Sequence, residues 1–341
     1  MITRTAPSWH TEDWQFLLSD SIRTVESLWS ALNLPSEGIP AALSAHREFQ
    51  VRVPKPFLDK IERGNPDDPL LKQILPVAAE LEAHAGFLKD PLAERTTNPA
   101  SGLLHKYKSR VLLVMSGACA VNCRYCFRRY FPYSDNRMGS EELDYIAGYL
   151  QHHNEVNEVI LSGGDPLVIS NGRLAKLLNL LESISHISRV RIHTRLPVVI
   201  PQRIDAELLD VVSRSRLNVV MVTHSNHARE LDAVFDQAML GLRKVGVTLL
   251  NQAVLLRGIN DSVASLVDLS ERLFESGVLP YYLHLLDPVA GAQHFDVSES
   301  TARTLMQQLH AELPGFLIPR LVREIPQKPS KTLIDLHLSE V

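Results

Sequence analysis

Between residues 105 and 314, short runs of apolar residues alternate with longer amphipathic stretches. This pattern is typical of βα units, in which parallel strands alternate with helices along the chain. The apolar runs have few polar interruptions, as in Val219-Val220-Met221-Val222, which indicates strands that are buried on both faces. The alternation predicts six strands, at residues 111–115, 158–161, 190–193, 218–222, 248–255 and 281–285.

Six βα units in series predict an α/β fold, a partial (β/α)6 barrel that is open on one side. We place this barrel at residues 105–314. Before it, residues 1–104 predict a helical module, whose first amphipathic helix covers 11–33. After it, a short C-terminal segment covers 315–341. The amphipathic stretches of the barrel predict the intervening helices, including one over 228–245.

Polar residues stand at or near the carboxyl end of each predicted strand. In parallel barrels, the reacting groups lie at this end of the strands. We therefore expect these polar residues to meet in one site. They are the cysteine loop at 119–126, the Ser162-Gly163-Gly164-Asp165-Pro166 turn, residues 193–195, Thr223 and His224, Asn251 and Gln252, and residues 284–287.

All three cysteines of the chain, Cys119, Cys123 and Cys126, lie in the first of these loops. Three thiolates can ligate three irons of a 4Fe-4S cluster and leave the fourth iron open to another molecule. A zinc site is the alternative, but zinc usually takes four protein ligands, so a nearby histidine would have to complete it. Because the cysteines have no partners elsewhere, the pattern argues against a disulfide framework and for a reducing compartment.

The composition argues against two classes of partner. A formal net charge of -4 gives no electrostatic footprint for nucleic acid or for an anionic membrane surface. No run of about 18 apolar residues occurs, and residues 1–20 contain tryptophans and acids where a signal peptide would be apolar. We therefore expect a cytoplasmic protein with neither a nucleic-acid nor a membrane partner.

Two motifs together resemble those of the radical S-adenosylmethionine (SAM) enzymes. The first is the cysteine pattern, with Tyr125 just before its last cysteine, and the second is Gly163-Gly164-Asp165. In that superfamily, the methionyl group of SAM chelates the open iron, and a glycine-rich motif lies beside its amine. Glycines let the backbone approach a ligand closely, and Asp165 can add a charge for the ammonium. The resemblance implies that Cys119, Cys123 and Cys126 bind the cluster, and that Tyr125, Gly163, Gly164 and Asp165 contact SAM.

Longer stretches narrow the resemblance to the lysine 2,3-aminomutase family. They match over about residues 100–335 and include 123–129, 161–167, 223–227, 251–261, 280–283 and 329–332. The family converts (S)-α-lysine to (R)-β-lysine with a 4Fe-4S cluster, SAM and pyridoxal 5'-phosphate (PLP). Residues 64–70 and the short C-terminus are similar to the branch that makes β-lysine from free L-lysine. That branch supplies it for elongation factor P, which a lysine ligase modifies.

The resemblance also implies a role for individual residues. Lys331, in the C-terminal segment, aligns with the lysine that forms a Schiff base with PLP. Arg128 matches an arginine that binds the substrate carboxylate, for which a guanidinium is suited. Asp287 and Glu324 match two acids that hold the ε-ammonium. Softer matches, for contacts to PLP or SAM, are Arg110, His224 and Gln252.

The chain departs from the better-known members of the family at two places. Glu324 stands where they have an aspartate, and the run Pro326-Gln327-Lys328-Pro329-Ser330 replaces a run of glycines before Lys331. The first change adds a methylene at the ammonium end of the substrate site. The second predicts different phosphate contacts.

Three alternatives stay open at this point. One is a radical SAM aminomutase for another amino acid, such as arginine or glutamate, although Asp287 and Glu324 disfavour glutamate. Another is an RNA-binding protein in which arginines of the cysteine loop contact phosphate, which a salt-dependent titration would reveal. The last is a scaffold without turnover, against which the intact cysteines and Lys331 argue.

Overall fold

The computed structural model describes residues 13–94, 99–133 and 139–338. These residues form a nine-stranded sheet whose strands follow the order of the chain. The inner strands are parallel, and one antiparallel strand flanks them on each side. The strands are β1 (Leu103–Tyr107), β2 (Arg110–Ser116), β3 (Glu158–Gly163), β4 (Arg189–Thr194), β5 (Asn218–His224), β6 (Thr248–Val254), β7 (Leu279–His284), β8 (Arg320–Arg323) and β9 (Thr332–Leu333).

Helices precede the sheet and fill the intervals between its parallel strands. In the described ranges, no helix is both long enough and apolar enough to cross a membrane. The helices are α1 (Trp14–Ser19), α2 (Val25–Leu32), α3 (Ile39–Glu48), α4 (Lys55–Leu58), α5 (Pro69–Lys72), α6 (Ser140–His152), α7 (Asn171–Glu182), α8 (Leu196–Val199), α9 (Ala206–Ser213), α10 (Ala233–Lys244), α11 (Val263–Glu275) and α12 (Glu299–Glu312).

The predicted α/β partial barrel is confirmed, and its six predicted strands correspond to β2–β7. The parallel sheet continues into β8, where Val322 pairs with His284 of β7. This strand lies in the segment predicted at 315–341, so that segment contributes to the barrel sheet. The division of the chain into three segments stays a prediction.

Two predicted helices are wrong in extent because side-chain caps interrupt them. In place of one helix over 11–33, the structure has α1 and α2, and residues 11 and 12 lie outside the described ranges. Between the two helices, Ile22 pairs with Val53, and Thr24 then caps α2 by accepting from the backbone N–H of Ser27. Likewise, the helix predicted from residue 228 begins only at Ala233, after a new cap. Caps of this kind satisfy the free N–H groups of a helix start.

The N-terminal helices pack directly on the barrel. One apolar cluster runs from Trp14 and Phe57 in these helices to Met221 in the sheet. Lys60 adds polar contacts to the barrel, because its Nζ donates to the carbonyl oxygens of Val198 at 3.1 Å and Glu230 at 2.7 Å. The N-terminal helices are thereby fixed beside the carboxyl ends of the strands.

Candidate active site

A cavity of about 730 Å³ occupies the interior of the open barrel, a volume typical of cofactor and substrate sites. Strands β2–β8 contribute lining residues, as do the cysteine loop and the segment after β8. The structure brings every site residue proposed from the sequence to this cavity. They are Arg110, Cys119, Cys123, Tyr125, Cys126, Arg128, Gly163, Gly164, Asp165, His224, Gln252, Asp287, Glu324 and Lys331.

The cysteine loop is held in shape by the N-terminal helices. Arg124 is fully buried, and its Nε donates to Glu80 Oε1 at 2.8 Å while a terminal nitrogen donates to the Phe49 carbonyl at 2.7 Å. Arg129 donates to the second oxygen of Glu80 at 2.8 Å. A buried carboxylate with two guanidinium partners is well compensated for its loss of water. Glu80 therefore ties the loop to the N-terminal helices.

Replacing Glu80 by alanine is expected to reduce the free energy of unfolding by about 3–5 kcal/mol, because it leaves two buried guanidinium groups without their carboxylate. The measurement is denaturant unfolding of the apoprotein, together with the iron content after reconstitution. Asp59→Ala is the matched control, since it removes an acid from the exposed Lys55–Asp59 pair. Equal losses in the two variants would contradict this account of the loop.

The three cysteines form a donor set that needs positive charge. Burial raises the pKa of Cys119 well above its ordinary value, and the neighbouring Cys126 reinforces this. Burial also raises the pKa of Cys126 to about 11. Metal ions reverse such shifts, because a thiol deprotonates when it coordinates. In a 4Fe-4S cluster, each of the three thiolates would bind a different iron.

The glycine pair lets the end of β3 approach the start of the cysteine loop. A Cβ at Gly163 would lie 2.7 Å from the Ser116 carbonyl oxygen, and the φ of Gly163 is +117°, a value that favours glycine. A Cβ at Gly164 would lie 2.8 Å from the carbonyl carbon of Ala118. Without these Cβ atoms, the Gly164 N–H can donate to the Ser116 carbonyl oxygen at 2.6 Å. Side chains at Gly163 and Gly164 would push the end of β3 away from the start of the cysteine loop.

Asp165 lines the cavity, but its carboxylate already accepts several hydrogen bonds. One oxygen accepts from Thr194 Oγ1 at 2.7 Å and from the Leu167 N–H at 3.0 Å. The other accepts from the backbone N–H groups of Arg195 at 2.8 Å and Leu196 at 2.9 Å. These bonds fix the turn after β3 against the end of β4. We assign Asp165 to the positioning of this turn, and its direct contact with SAM stays a prediction.

Two acids and a lysine meet at one end of the cavity. Lys331 Nζ donates to Glu324 Oε2 at 2.7 Å, and the Tyr107 hydroxyl donates to the other oxygen of Glu324. Burial raises the pKa of Glu324, but Lys331 and Tyr107 more than offset it, so the pKa lies below the ordinary value. Desolvation raises the pKa of Asp287 to about 7. This end of the cavity can therefore hold a cation.

Arg128 provides positive charge elsewhere in the same cavity. Its guanidinium forms a bidentate pair with Glu94, at 2.7 Å from Nε and 2.9 Å from a terminal nitrogen. The other terminal nitrogen donates to Ser162 Oγ at 3.0 Å. Glu94 also pairs with Lys106 at 3.1 Å. A substrate carboxylate at Arg128 must therefore share the guanidinium with Glu94 or replace it.

Several buried polar atoms in the cavity have no protein partner within the described ranges. They are His193 Nε2, His284 Nε2 and Gln252 Oε1. Burial lowers the pKa of all three cavity histidines, and that of His224 falls to about 3, so these rings are neutral near pH 7. Unpaired buried groups are rare in proteins, and a polar ligand in the cavity would satisfy them. The residues present thus fit a polar cofactor.

Two other predicted contacts are placed at the wall of the cavity. The Arg110 guanidinium lies 4.1 Å from the centre of the Tyr107 ring, and it forms no ion pair with the described residues. It is available to a phosphate. The Tyr125 hydroxyl instead accepts from Arg195 at 2.6 Å and from Asn226 Nδ2 at 2.7 Å, so it belongs to a buried network.

The sequence alone assigns no individual role to three further cavity residues. Glu94 and Tyr107 precede the first predicted strand, and nothing in their spacing points to the barrel interior. Arg195 is different, because it belongs to the polar residues at the end of β4. That position is the signal that points to it.

Comparison with known proteins identifies the family of the chain. The family model described as the Radical SAM superfamily matches residues 113–269. The chain is 48% identical over 341 residues to the L-lysine 2,3-aminomutase of Escherichia coli (strain K12), with 100% of this chain and 99% of that protein covered. It is also 48% identical to the L-lysine 2,3-aminomutase of Haemophilus influenzae, over 94% of this chain and 95% of that protein. It is 36% identical to the L-lysine 2,3-aminomutase of Clostridium subterminale, over 94% of this chain and 77% of that protein.

These similarities bear on the predicted cofactors and reaction class. The superfamily match brings with it the 4Fe-4S cluster and SAM, and the aminomutase relatives imply PLP and an isomerase. The identity extends over the N-terminal helices, the barrel and the C-terminal segment alike. The chain belongs to the lysine 2,3-aminomutase family of radical SAM enzymes.

Proposed function

We propose that the protein is an L-lysine 2,3-aminomutase that converts free (S)-α-lysine to (R)-β-lysine. One observation carries the proposal: a single cavity presents a guanidinium at Arg128 and two acids at Asp287 and Glu324. Lysine offers the complementary groups, a carboxylate and a distant ammonium. The names of the most similar relatives support the same reaction.

The chain holds its cofactors with residues from different parts of the site. Cys119, Cys123 and Cys126 would bind the cluster, and Lys331 would bind PLP. When bound, the cluster and SAM supply the radical that removes a substrate hydrogen, and PLP supplies the conjugated system that carries the migrating nitrogen. The protein's part is to orient these groups within one enclosed space.

Glu324 serves two ammonium groups in turn. In the structure, its carboxylate accepts a hydrogen bond from Lys331 Nζ at 2.7 Å. The pKa of Glu324 lies below its ordinary value, so the carboxylate stays ionised in this pair. When Lys331 would hold PLP, it would no longer carry an ammonium and its proton would pass to solvent, which would leave the ionised Glu324 available to the ε-ammonium of the substrate. The Tyr107 hydroxyl keeps the carboxylate in place throughout.

The strands also give the cavity apolar walls, to which Val111, Ile160, Val220 and Leu250 contribute. Such walls exclude water and other hydrogen donors from reactive intermediates. The methylene chain of lysine fits apolar surface of this kind, and its charged ends fit the polar groups.

The burial of Asp287 predicts how the use of lysine depends on pH. Desolvation raises the pKa of this carboxyl to about 7. The charged groups that face it are the cations Lys331 and Lys106 and the anions Glu324 and Glu94. Below its pKa the carboxyl is neutral and loses its ion pair with an ammonium, whereas above it the pair forms. We therefore expect kcat/KM for lysine to rise as the pH increases through about 7.

Asp287→Asn is the control for this pH dependence. An amide does not titrate, so the step near pH 7 should disappear from the kcat/KM profile while overall kcat/KM falls. The measurement is the initial rate between about pH 6 and 9. Because His and Cys side chains also titrate in this range, the parent and the variant are compared at each pH. A parent profile that falls with rising pH, or an identical step in the variant, would contradict the assignment of Asp287.

A comparison of amino acids tests the substrate. Reconstituted protein is incubated anaerobically with SAM, PLP and dithionite, and with L-lysine, L-arginine or L-glutamate in turn. The proposal expects a β-amino acid from lysine at much higher kcat/KM than from the others, because only lysine carries an ammonium matched to two acids. Preference for arginine or glutamate would overturn the lysine assignment and leave the aminomutase class intact.

We further propose that the β-lysine is used in the cytoplasm to modify elongation factor P, through a lysine ligase. Support comes from the resemblance at residues 64–70. The test combines this enzyme, the ligase and elongation factor P, and reads the mass of the factor. The link is supported if elongation factor P gains one lysyl group only when this enzyme's product is present. It is contradicted if the factor gains the same mass equally well with α-lysine and without this enzyme.

A further inference from the structure

A buried arginine lies beside the cysteine loop. Arg195 follows β4, and its guanidinium is within hydrogen-bond distance of the Cys123 sulfur. The nitrogen that faces this sulfur also donates to the Tyr125 hydroxyl at 2.6 Å. The other terminal nitrogen donates to Gln73 Oε1 at 2.7 Å and Glu230 Oε2 at 3.0 Å.

The surrounding groups leave this guanidinium little freedom to move. Glu230 is fully buried, and its second oxygen accepts from Gln73 Nε2 at 3.0 Å and from the Asn226 N–H at 2.8 Å. Asn226 Nδ2 in turn donates to Gln73 Oε1 at 3.0 Å. The network joins the N-terminal helices, the barrel and the cysteine loop. These bonds engage both terminal nitrogens of Arg195, and only its Nε lacks a partner among the described residues, so the guanidinium is held against Cys123.

We infer that Arg195 sets the reduction potential of the cluster by donating an N–H to the sulfur of Cys123. Reduction adds one negative charge to the cluster, and hydrogen bonds to its sulfurs stabilise that charge. A fixed guanidinium adds a full positive charge at the same place. Both effects favour the reduced state and raise the potential. Arg195 is a positioning residue and not a catalytic one, because it acts on the cluster through the ligand Cys123.

The inference rests on the cluster that superfamily membership brings, and it is independent of which amino acid is the substrate. It also differs from a purely structural role. Arg195 has a second link to the site, because its backbone N–H donates to Asp165 at 2.8 Å. A side chain that only supported this turn would alter stability and cluster content, but would leave the potential of a bound cluster unchanged.

The test is a redox titration of the reconstituted cluster, followed by electron paramagnetic resonance in the absence of lysine. Arg195→Gln should lower the potential, so that the ratio of reduced to oxidised cluster at a fixed potential falls about tenfold, which equals about 59 mV for one electron. Glu230→Gln is the matched control, and its expected shift in potential is opposite to that of Arg195→Gln. It removes the counter-charge of Arg195 and leaves both partners of the sulfur contact, Arg195 and Cys123, in the chain, so it should raise the potential.

Iron content is measured in every sample, so that cluster loss is not mistaken for a shift. If Arg195→Gln does not retain the cluster, Glu230→Gln and Arg195→Lys decide the matter. The inference is supported if the potential rises in Glu230→Gln and falls in Arg195→Lys by less than about 59 mV. If variants with full iron content have the same reduction potential as the parent protein, the inference is overturned, whatever the outcome of the lysine assay.

Discussion

Lys331→Ala is expected to abolish aminomutase activity, with a loss on the order of 10³-fold or more, as for other residues that bond covalently during catalysis. The lysine side chain is the one amine of the segment after β8 that reaches the cavity, where Nζ lies 2.7 Å from Glu324. Its ion pair is partly exposed, so its removal should change the free energy of unfolding by only about 1 kcal/mol or less. Activity and stability are thus expected to separate.

Lys328 offers a matched control in the same segment. It is exposed and does not line the cavity, so Lys328→Ala should keep both activity and PLP. The measurements are β-lysine formation, the visible absorbance of bound PLP and thermal unfolding. Activity retained in Lys331→Ala, or an equal loss in Lys328→Ala, would contradict the assignment of Lys331 as the PLP lysine.

Cys126→Ser is expected to remove the cluster and with it all turnover. The chain has no fourth cysteine to replace the lost ligand, and serine is a poor ligand for iron–sulfur clusters. Iron content and cleavage of SAM under reducing conditions are the readouts. Cys119→Ser and Cys123→Ser should behave alike, because each cysteine would hold a different iron.

The apoprotein serves as the control for this second prediction. Serine has nearly the size of cysteine, and the cysteine loop keeps its Glu80 contacts, so unfolding of the apo variant should resemble that of the apo parent. Parent-like iron content and activity in any of the three variants would contradict the proposed ligand set. A loss in stability without loss of iron would point to a structural role instead.

The sequence reveals most of the fold because its strands are apolar and its chemistry lies at their ends. Gly163 and His224 end buried strands and Gln252 lies near the end of another, so the rule of parallel barrels places them together. The helix breaks were harder to predict, because they depend on single caps such as Thr24. Apolar periodicity continues across a cap and does not reveal it.

Charge pairing in the site could not be predicted in the same way. The bidentate contact of Arg128 with Glu94 joins residues 34 positions apart, and Glu94 lies outside any predicted strand. The Tyr107 contact with Glu324 spans 217 positions. Pairs of this kind depend on tertiary packing, and no local pattern encodes them.

The loop before Lys331 shows what replaces the family's glycines. Gln327 has a φ of +64°, in the left-handed region that favours glycine. A non-glycine residue adopts it at a cost of about 1–2 kcal/mol. The chain therefore keeps a sharp bend at this place without the glycine that the resemblance would suggest, and the bend precedes the lysine at the cavity.

The most direct test of the proposed reaction follows the nitrogen itself. Holoenzyme with SAM, PLP and dithionite is incubated without oxygen with L-lysine that carries ¹⁵N at its α-amino group, and the products are separated by chromatography and examined by NMR. We expect β-lysine with the label on the β carbon. Unchanged α-lysine, despite a full cluster and cleavage of SAM, would contradict the account.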